Sequence, residues 1–405
     1  MILFDRGTLG PSWQTDGGRL VPATARHDRD ESLLRLDCAW DPRAVLKPGA
    51  VNAHTHLYSG LASLGMPPAS PPPKNFLEIL QRVWWRLDRV LDEASLRASA
   101  RYAIADALLS GTTTLIDHHE SPAFIEGSLD VLASCAQELG IRLAVGYGAT
   151  ERNGGAAEGQ RGLAECERFL KTNERSFVRG LVALHASFTV SDDTIRAAGA
   201  LARKYAAPMH VHVAEDLADV RDAQERGYEG PLERLMQLGA LPEGSIVAHG
   251  VHLSEAQVRR AHDAKLWLVQ NPRSNEGNQV GYPRALKASS RVALGTDGWN
   301  SDMDVEAAAL LRLGAAHGDP EEALSARLTT GHDLASDVFE EKMGELTANA
   351  AADVVAGIPG EPPRHVVVAG RRVVILGRLV TADLTELRAK AHEAAPELWK
   401  RMERL

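Results

Sequence analysis

The sequence predicts an α/β fold: a (β/α)8 barrel with a small β domain beside it. Three features predict it. Eight short, largely apolar stretches lie between residue 48 and about residue 340, each separated from the next by helical sequence. Right-handed crossovers between parallel strands close such a series into a barrel. Most of the stretches stop at histidine, asparagine or aspartate, where barrels of this kind keep their chemistry. No glycine-rich phosphate loop follows any of them, which argues against a doubly wound open sheet.

Residues 1–47 read as short strands and turns, with apolar pieces such as Ser32–Leu36 between Gly, Pro and Asp. This segment is expected to be the N-terminal part of a β-sandwich. The barrel is expected over 48–340. Its first strand starts near Pro48-Gly49-Ala50 and ends in His54-Thr55-His56. A Pro-rich loop, 67–73, follows as a candidate rim or lid. A helix then carries Phe76, Ile79, Leu80, Val83, Trp84 and Leu87 on a helical period. Trp84 and Trp85 are adjacent, so one of them is a candidate pocket wall, with a subunit contact as the other reading. A helix at 94–109 leads to a strand ending in His118-His119. A helix near 127–139 leads to the strand 141–147, and a helix near 158–171 to the strand 178–184, which ends at His185. Ser191 caps a helix to about Tyr205, and the strand 208–213 follows with His210 and His212. Helical stretches 217–225 and 231–239 lead to a strand ending at His249. Ser254 caps a helix before Lys265–Gln270 and Asn271, and Arg291–Thr296 runs into Asp297. Beyond the barrel, 341–405 is expected to supply the C-terminal part of the sandwich, from β-like stretches 346–355 and 365–380, and a charged amphipathic terminal helix over 382–404 that packs on the surface.

Strand alternation puts His54 with His56, and His210 with His212, on common faces. Zn²⁺ or Fe²⁺ takes imidazole nitrogen and carboxylate oxygen, and His54, His56, His212 and Asp297 can supply one such set. Glu215 follows His212 by three residues, where a strand would break, and can move a proton to substrate. His249 can hold the attacking oxygen or polarise an intermediate. His210 reads as a group behind the ligands, and His252 and His262 as ordinary packed or surface residues. No lysine stands at a strand end to bridge two metals, so a mononuclear site is favoured.

The bulk numbers set limits. The chain has 405 residues, 44% hydrophobic and 24% charged, with a net charge of −9. No basic stripe marks a nucleic-acid partner, and no apolar run approaches a membrane span. Cys38, Cys135 and Cys166 have neither disulfide-framework nor metal-like spacing. With no signal-peptide layout at the N-terminus, the expected location is cytoplasmic.

Val51–His56, His212–Glu215, Ala248–Leu253 and Leu294–Asp297 resemble the four signatures of the amidohydrolase superfamily, and within it the chlorohydrolase/deaminase (ATZ/TRZ-type) subgroup. Lys74–Gln81, Trp84–Asp88 and Leu184–Thr189 are most similar to the aminohydrolases called SsnA. The resemblance implies a mononuclear metal-dependent hydrolase with a composite β-sandwich domain, often dimeric. It implies His54, His56, His212 and Asp297 as ligands, Glu215 as proton shuttle, His249 beside the attacking hydroxide and His185 over the substrate. It also implies Asp88 near a carboxylate that some relatives use on substrate. Two departures are visible: the N-terminal β segment is short for the family, and Arg273 could bias the pocket toward an anionic or carbonyl-rich substrate.

The expected activity is deamination of an amino-substituted nitrogen heterocycle, purine- or pterin-like, by a hydroxide on one divalent metal, Zn²⁺ before Fe²⁺. Glu215, His249 and Asp297 act in the chemistry, while His185, Asp88, Trp84, Trp85 and Trp299 contact the ring. A hydrolytic dechlorinase or cyclic amide hydrolase on the same metal is the alternative. A non-catalytic homologue ranks last, since every expected ligand is present. The expected partners are a small heteroaromatic substrate and a second copy in a homodimer.

Overall fold

Eight parallel strand positions carry the fold in this computed structural model, which describes residues 2–5, 13–22, 34–37, 41 and 43–405. Cys38 lies outside the described residues. Before the barrel come β1 (Ile2–Asp5), β2 (Trp13–Asp16), β3 (Arg19–Pro22), β4 (Leu34–Asp37) and β5 (Val45–Pro48). The barrel strands are β6 (Ala50–Thr55), β7 (Thr112–His119), β8 (Arg142–Ala149), β9 with β10 (Val178–Gly180 and Val182–Ala186), β11 (Met209–Val213), β12 (Ile246–His249), β13 (Trp267–Gln270) and β14 (Val292–Leu294). After it come β15 (Val354–Gly357), β16 (His365–Val368), β17 (Arg371–Ile375) and β18 (Arg378–Leu379).

The barrel strands pair in parallel from β6 through β14. The ring closes just beyond β14: the Thr296 and Asp297 N–H groups donate to His54 O at 2.9 Å, and the His56 N–H donates to Asp297 O at 3.3 Å. Gly295 permits that closure, because a Cβ there would stand 2.9 Å from the His54 backbone nitrogen. The strands read as continuous apolar runs because both of their faces are covered. Val51, Ala53, Ile116, Ala144, Leu181, Ile246, Trp267, Val269 and Ala293 meet as one cluster, which includes Leu334, Ala335 and Phe339 of the helix Thr330–Phe339. Apolar packing of this kind leaves only the opposite, C-terminal mouth for polar groups.

The N-terminal segment is not short of strands. One sheet has the order β3-β2-β1-β4, and a second runs β18-β17-β16-β15-β5, so β5 joins the C-terminal strands by antiparallel pairing with β15. Leu20, Leu46, Ala352, Val354, Ala356 and Val367 pack together between them. The Leu20 N–H donates to Ala350 O, and the Ala352 N–H to Gly18 O, each at 2.8 Å. Within 346–355 only Val354 and Val355 are in a strand, since the preceding residues cross between the layers. The terminal helix, Leu384–Glu403, buries Leu387, Ala391, Ala395, Leu398, Trp399 and Met402 in the same core as the helix Glu93–Leu109.

Arg142 ties the two parts together. Its side chain is buried at the start of β8, pairs with Asp353 at 2.7 Å and Glu341 at 2.9 Å, and lies over the Phe339 ring. Asp353 in turn accepts the Ala369 N–H. Removing the cation strands a buried carboxylate, so R142M is expected to lose roughly 3–5 kcal/mol of stability. Urea unfolding followed by circular dichroism measures it, and a loss below about 1 kcal/mol would contradict this role.

Candidate metal and catalytic site

The histidines and carboxylates at the barrel mouth arrive at or just after strand ends. Three of those ends turn through left-handed backbone: Ala214 at φ 50°, His249 at φ 74° and Asp297 at φ 54°. Such conformations cost non-glycine residues about 1–3 kcal/mol each. The turn lets neighbouring strands aim Glu215, His249 and Asp297 across the mouth instead of away along the strand axis.

The histidine tautomers follow from their partners. His56 Nδ1 lies 2.6 Å from His118 O, and His212 Nδ1 lies 2.6 Å from His185 O. A carbonyl only accepts, so both Nδ1 atoms carry a proton and Nε2 is the atom of each ring that can turn a lone pair to a cation once it is deprotonated. Those two Nε2 atoms stand 3.3 Å apart, and that of His56 is 2.9 Å from Asp297 Oδ1. His54 Nδ1 meets His210 Nε2 at 2.9 Å, while His54 Nε2, buried 3.6 Å from Asp297 Oδ1, has no hydrogen-bond partner among the described residues. Ligand atoms of His54, His212, His249 and Asp297 all lie within 4.8 Å of one another, and those of His56, His118 and His212 form a second such group.

Converging lone pairs beside a carboxylate repel unless a cation joins them, so the donor set fits a divalent ion bound by nitrogen and oxygen. Burial pulls the imidazoles toward the neutral, ligating form: His54 falls to about 3 and His212 well below the usual range. Burial opposes charge on His56 too, yet Asp297 holds it up at about 9. The aspartate calls for a positive partner, a position for which a proton and a metal ion compete.

Glu215 stands on the other side of that cluster. Burial first, and then the charge of Asp297, push its carboxyl well above the usual range, while Asn278 works against the rise. His249 Nε2 is 3.5 Å from Glu215 Oε2, and its Nδ1 is held by Asn275 Oδ1 at 3.0 Å. The Ser274 hydroxyl donates to Asp297 Oδ2.

A cavity opens over these groups. His56, His185, His212, Glu215, Asp297, Trp84, Trp85 and Trp299 all border it. The two adjacent tryptophans share it because Leu80–Trp84 is a π-helical turn, and because neighbours about 100° apart can both edge a cavity that wraps a helix. His185 Nδ1 meets Thr189 Oγ1 at 3.0 Å. Two expected contacts are corrected. Asp88 is wholly buried, does not border the cavity, and pairs with Arg152 at 2.8 Å. Arg273 does not border it either: Glu306 and Asn300 take its guanidinium, which lies over the Trp299 ring. Tyr58, Glu120, Ser274 and Asn278 border the cavity without having been expected there. Glu120 directly follows His118-His119 and could have been noticed on that ground. The other three lie on short helical turns, Leu57–Ser59 and Pro272–Gly277 with its cap Asn278, too short for a period to mark them.

Comparison with known proteins identifies the family and the fold. A model of the amidohydrolase family matches residues 45–373. The chain is 29% identical over 399 residues to an 8-oxoguanine deaminase of Pseudomonas aeruginosa, covering 88% of each chain. It is also 29% identical over 395 residues to a 5'-deoxyadenosine deaminase of Methanopyrus kandleri, covering 87% of this chain and 86% of the relative. The fold superposes on an adenosine deaminase from Xanthomonas campestris with bound zinc at TM-score 0.83, 21% identity and 98% of both chains. It also superposes on the atrazine chlorohydrolase TrzN of Arthrobacter aurescens, complexed with zinc, at TM-score 0.80 and 21% identity, over 98% of this chain and 100% of the other.

The protonation pattern sets an expected outcome. Zinc added at pH 7 to chelator-stripped protein should raise Tm and release about one proton per chain, because His56 must give up its proton to ligate. Above pH about 9 that release should vanish. A pH-indicator titration reads it, and H212A should bind no stoichiometric zinc.

Proposed function

We propose, from the premise that this chain belongs to the amidohydrolase family, that it is a metal-dependent aminohydrolase which deaminates an amino-substituted nitrogen heterocycle, purine- or pterin-like. The observation that carries this is Glu215, a carboxyl only 13% exposed and of raised proton affinity beside a histidine–aspartate cation cradle, in a cavity edged by tryptophans. The relatives named for deamination of 8-oxoguanine and 5'-deoxyadenosine support the same class.

The reaction replaces a ring C–NH2 by C=O, consuming water and releasing ammonia. When bound, a divalent cation supplies Lewis acidity that acidifies water and stabilises developing negative charge. His54, His56, His212 and Asp297 would hold it, and zinc is the ion favoured by two neighbours of the same fold. Glu215 takes a proton from water and gives it to the ring nitrogen next to the reacting carbon, which spares that nitrogen a negative charge as the ring loses aromaticity. A carboxyl of ordinary pKa would hold that proton too weakly; burial corrects this. Asp297 carries the second proton to the departing amine, its Oδ2 steadied by Ser274. His249, fixed through Nδ1 by Asn275, faces the oxygen that becomes the new carbonyl. Trp84, Trp85 and Trp299 offer flat walls to a flat ring.

A dechlorinase reading rests on the TrzN fold likeness alone. Ammonia release against chloride release, from a panel of aminopurines, pterins and chlorotriazines, separates the two. A homodimer, as the family resemblance implies, is part of the same proposal. Cys135 and Cys166, both free and buried, suit a reducing, cytoplasmic setting. Among the described residues no helix is long and apolar enough to cross a membrane.

E215Q should lower kcat by roughly 10²–10⁴-fold while keeping its zinc; near-normal ammonia release by that variant would overturn the shuttle. S274A leaves Asp297 Oδ2 without its donor and should cost roughly tenfold in kcat, with KM little changed.

A further inference from the structure

Two buried carboxylates at the cavity wall are not used by the proposed chemistry; Asp219 accepts the Phe188 and Ala214 N–H groups at 3.1 and 2.8 Å, which leaves Glu120. It is 3% exposed and directly follows β7. Its Oε1 is turned inward, 3.1 Å from His118 Nδ1 and out of hydrogen-bond geometry, with no donor among the described residues. Gly148 on β8 makes the room: a Cβ there would stand 2.9 Å from that oxygen and 2.4 Å from the His118 ring. The carboxylate therefore meets the cavity through Oε2. The cation near Oε2 is Arg152 at 3.7 Å, beyond hydrogen-bond reach. Arg152 is itself committed elsewhere, to Asp88 at 2.8 Å, to Thr150 Oγ1 at 3.0 Å and over the Trp85 ring. It supplies charge without consuming the acceptor.

The neighbouring group has the same polarity. Thr189 Oγ1 donates to Ala186 O at 3.0 Å, so it accepts from His185 Nδ1, and His185 Nε2 keeps its lone pair. Ligand atoms of Glu120, His185 and His212 lie within 4.8 Å of one another. Glu120 is thus beside the reacting end of the cavity, within reach of the heterocycle itself and not of a distant substituent. An acceptor-rich wall there attracts ring N–H donors and repels the bare ring nitrogens of adenine.

We propose that Glu120 is the specificity-determining residue, accepting a hydrogen bond from a lactam N–H, so that the substrate class is an amino-substituted oxo-heterocycle of guanine or pterin type and not an adenine. This rests on the deaminase reading for its chemistry, but not for its binding. Charge-assisted hydrogen bonds from buried acceptors are the strong ones, and a site built to receive an N–H rejects analogues lacking it. Arg152 acts as a positioning residue that keeps Glu120 ionised.

The test is calorimetry on the zinc-loaded full chain with xanthine, an oxo product of this class, and its 1-, 3- and 7-methyl derivatives, for wild type and E120Q. In wild type, methylation of the nitrogen that faces Glu120 should weaken binding by at least about tenfold. In E120Q that penalty should fall below about threefold. An equal penalty in both proteins, or no binding of any probe to wild type, overturns the assignment. A second zinc equivalent lost in E120Q also overturns it, by making Glu120 a cation ligand. Ammonia release as fast from adenine as from guanine would overturn it as well. If no aminoheterocycle releases ammonia while the penalty still depends on Glu120, the deaminase reading fails and the recognition role stands.

Discussion

Two backbone carbonyls govern the chemistry of this barrel. His118 O and His185 O accept the Nδ1 protons of His56 and His212, and in doing so decide which ring nitrogen faces the mouth. Without those bonds either tautomer would serve, and the lone pairs would not converge beside Asp297. The carbonyls belong to β7 and β10, so in each case a neighbouring strand, the next one for His56 and the preceding one for His212, sets the state of the imidazole. Closure of β14 against β6 then brings Asp297 to the same point, through bonds to the His54 carbonyl. Register in the sheet and protonation in the site are one constraint.

That constraint has a cost, and the rest of the fold carries it. Several buried imidazoles, crowded edge to edge, with His118 and His212 rings 4.4 Å apart, are unfavourable to pack. Left-handed backbone at Ala214, His249 and Asp297 adds strain. The apolar cluster at the other end of the barrel and the buried Arg142 network hold the strands in place against it. Polar strain is gathered at one mouth and apolar packing at the other, which is how a barrel keeps a reactive site rigid.

Relatives of this fold include deaminases and a chlorohydrolase. Metal cradle and proton shuttle can serve either leaving group, so the cradle alone does not choose a substrate. The cavity wall does. In this chain the wall pairs aromatic surface with the carboxylate of Glu120, and withholds Arg273 and Asp88 by engaging each with an opposite charge. A buried ion pair removes a residue from the substrate's reach as effectively as deleting it.

Much of this was legible in the residues alone. Apolar runs alternating with helical periods define a parallel barrel, because strands covered on both faces cannot alternate polar and apolar. Histidines two apart must share a face of a strand, so the pairs 54/56 and 210/212 had to point together. Residues 1–47 were legible as short strands of a β-sandwich, but not which sheet each joins: β1 to β4 pair among themselves, whereas β5 pairs with β15, about 300 residues away. The partners of Asp88, Arg273 and Glu120 were beyond sequence for one reason. Whether a charge faces a cavity or another charge depends on which segment lies across from it, and only the folded chain brings Arg152 to Asp88 and Glu306 to Arg273, and leaves Glu120 Oε1 without a hydrogen-bond donor among the described residues. Local pattern determined the scaffold and the residue types at its mouth; long-range pairing decided which of them remain free to act.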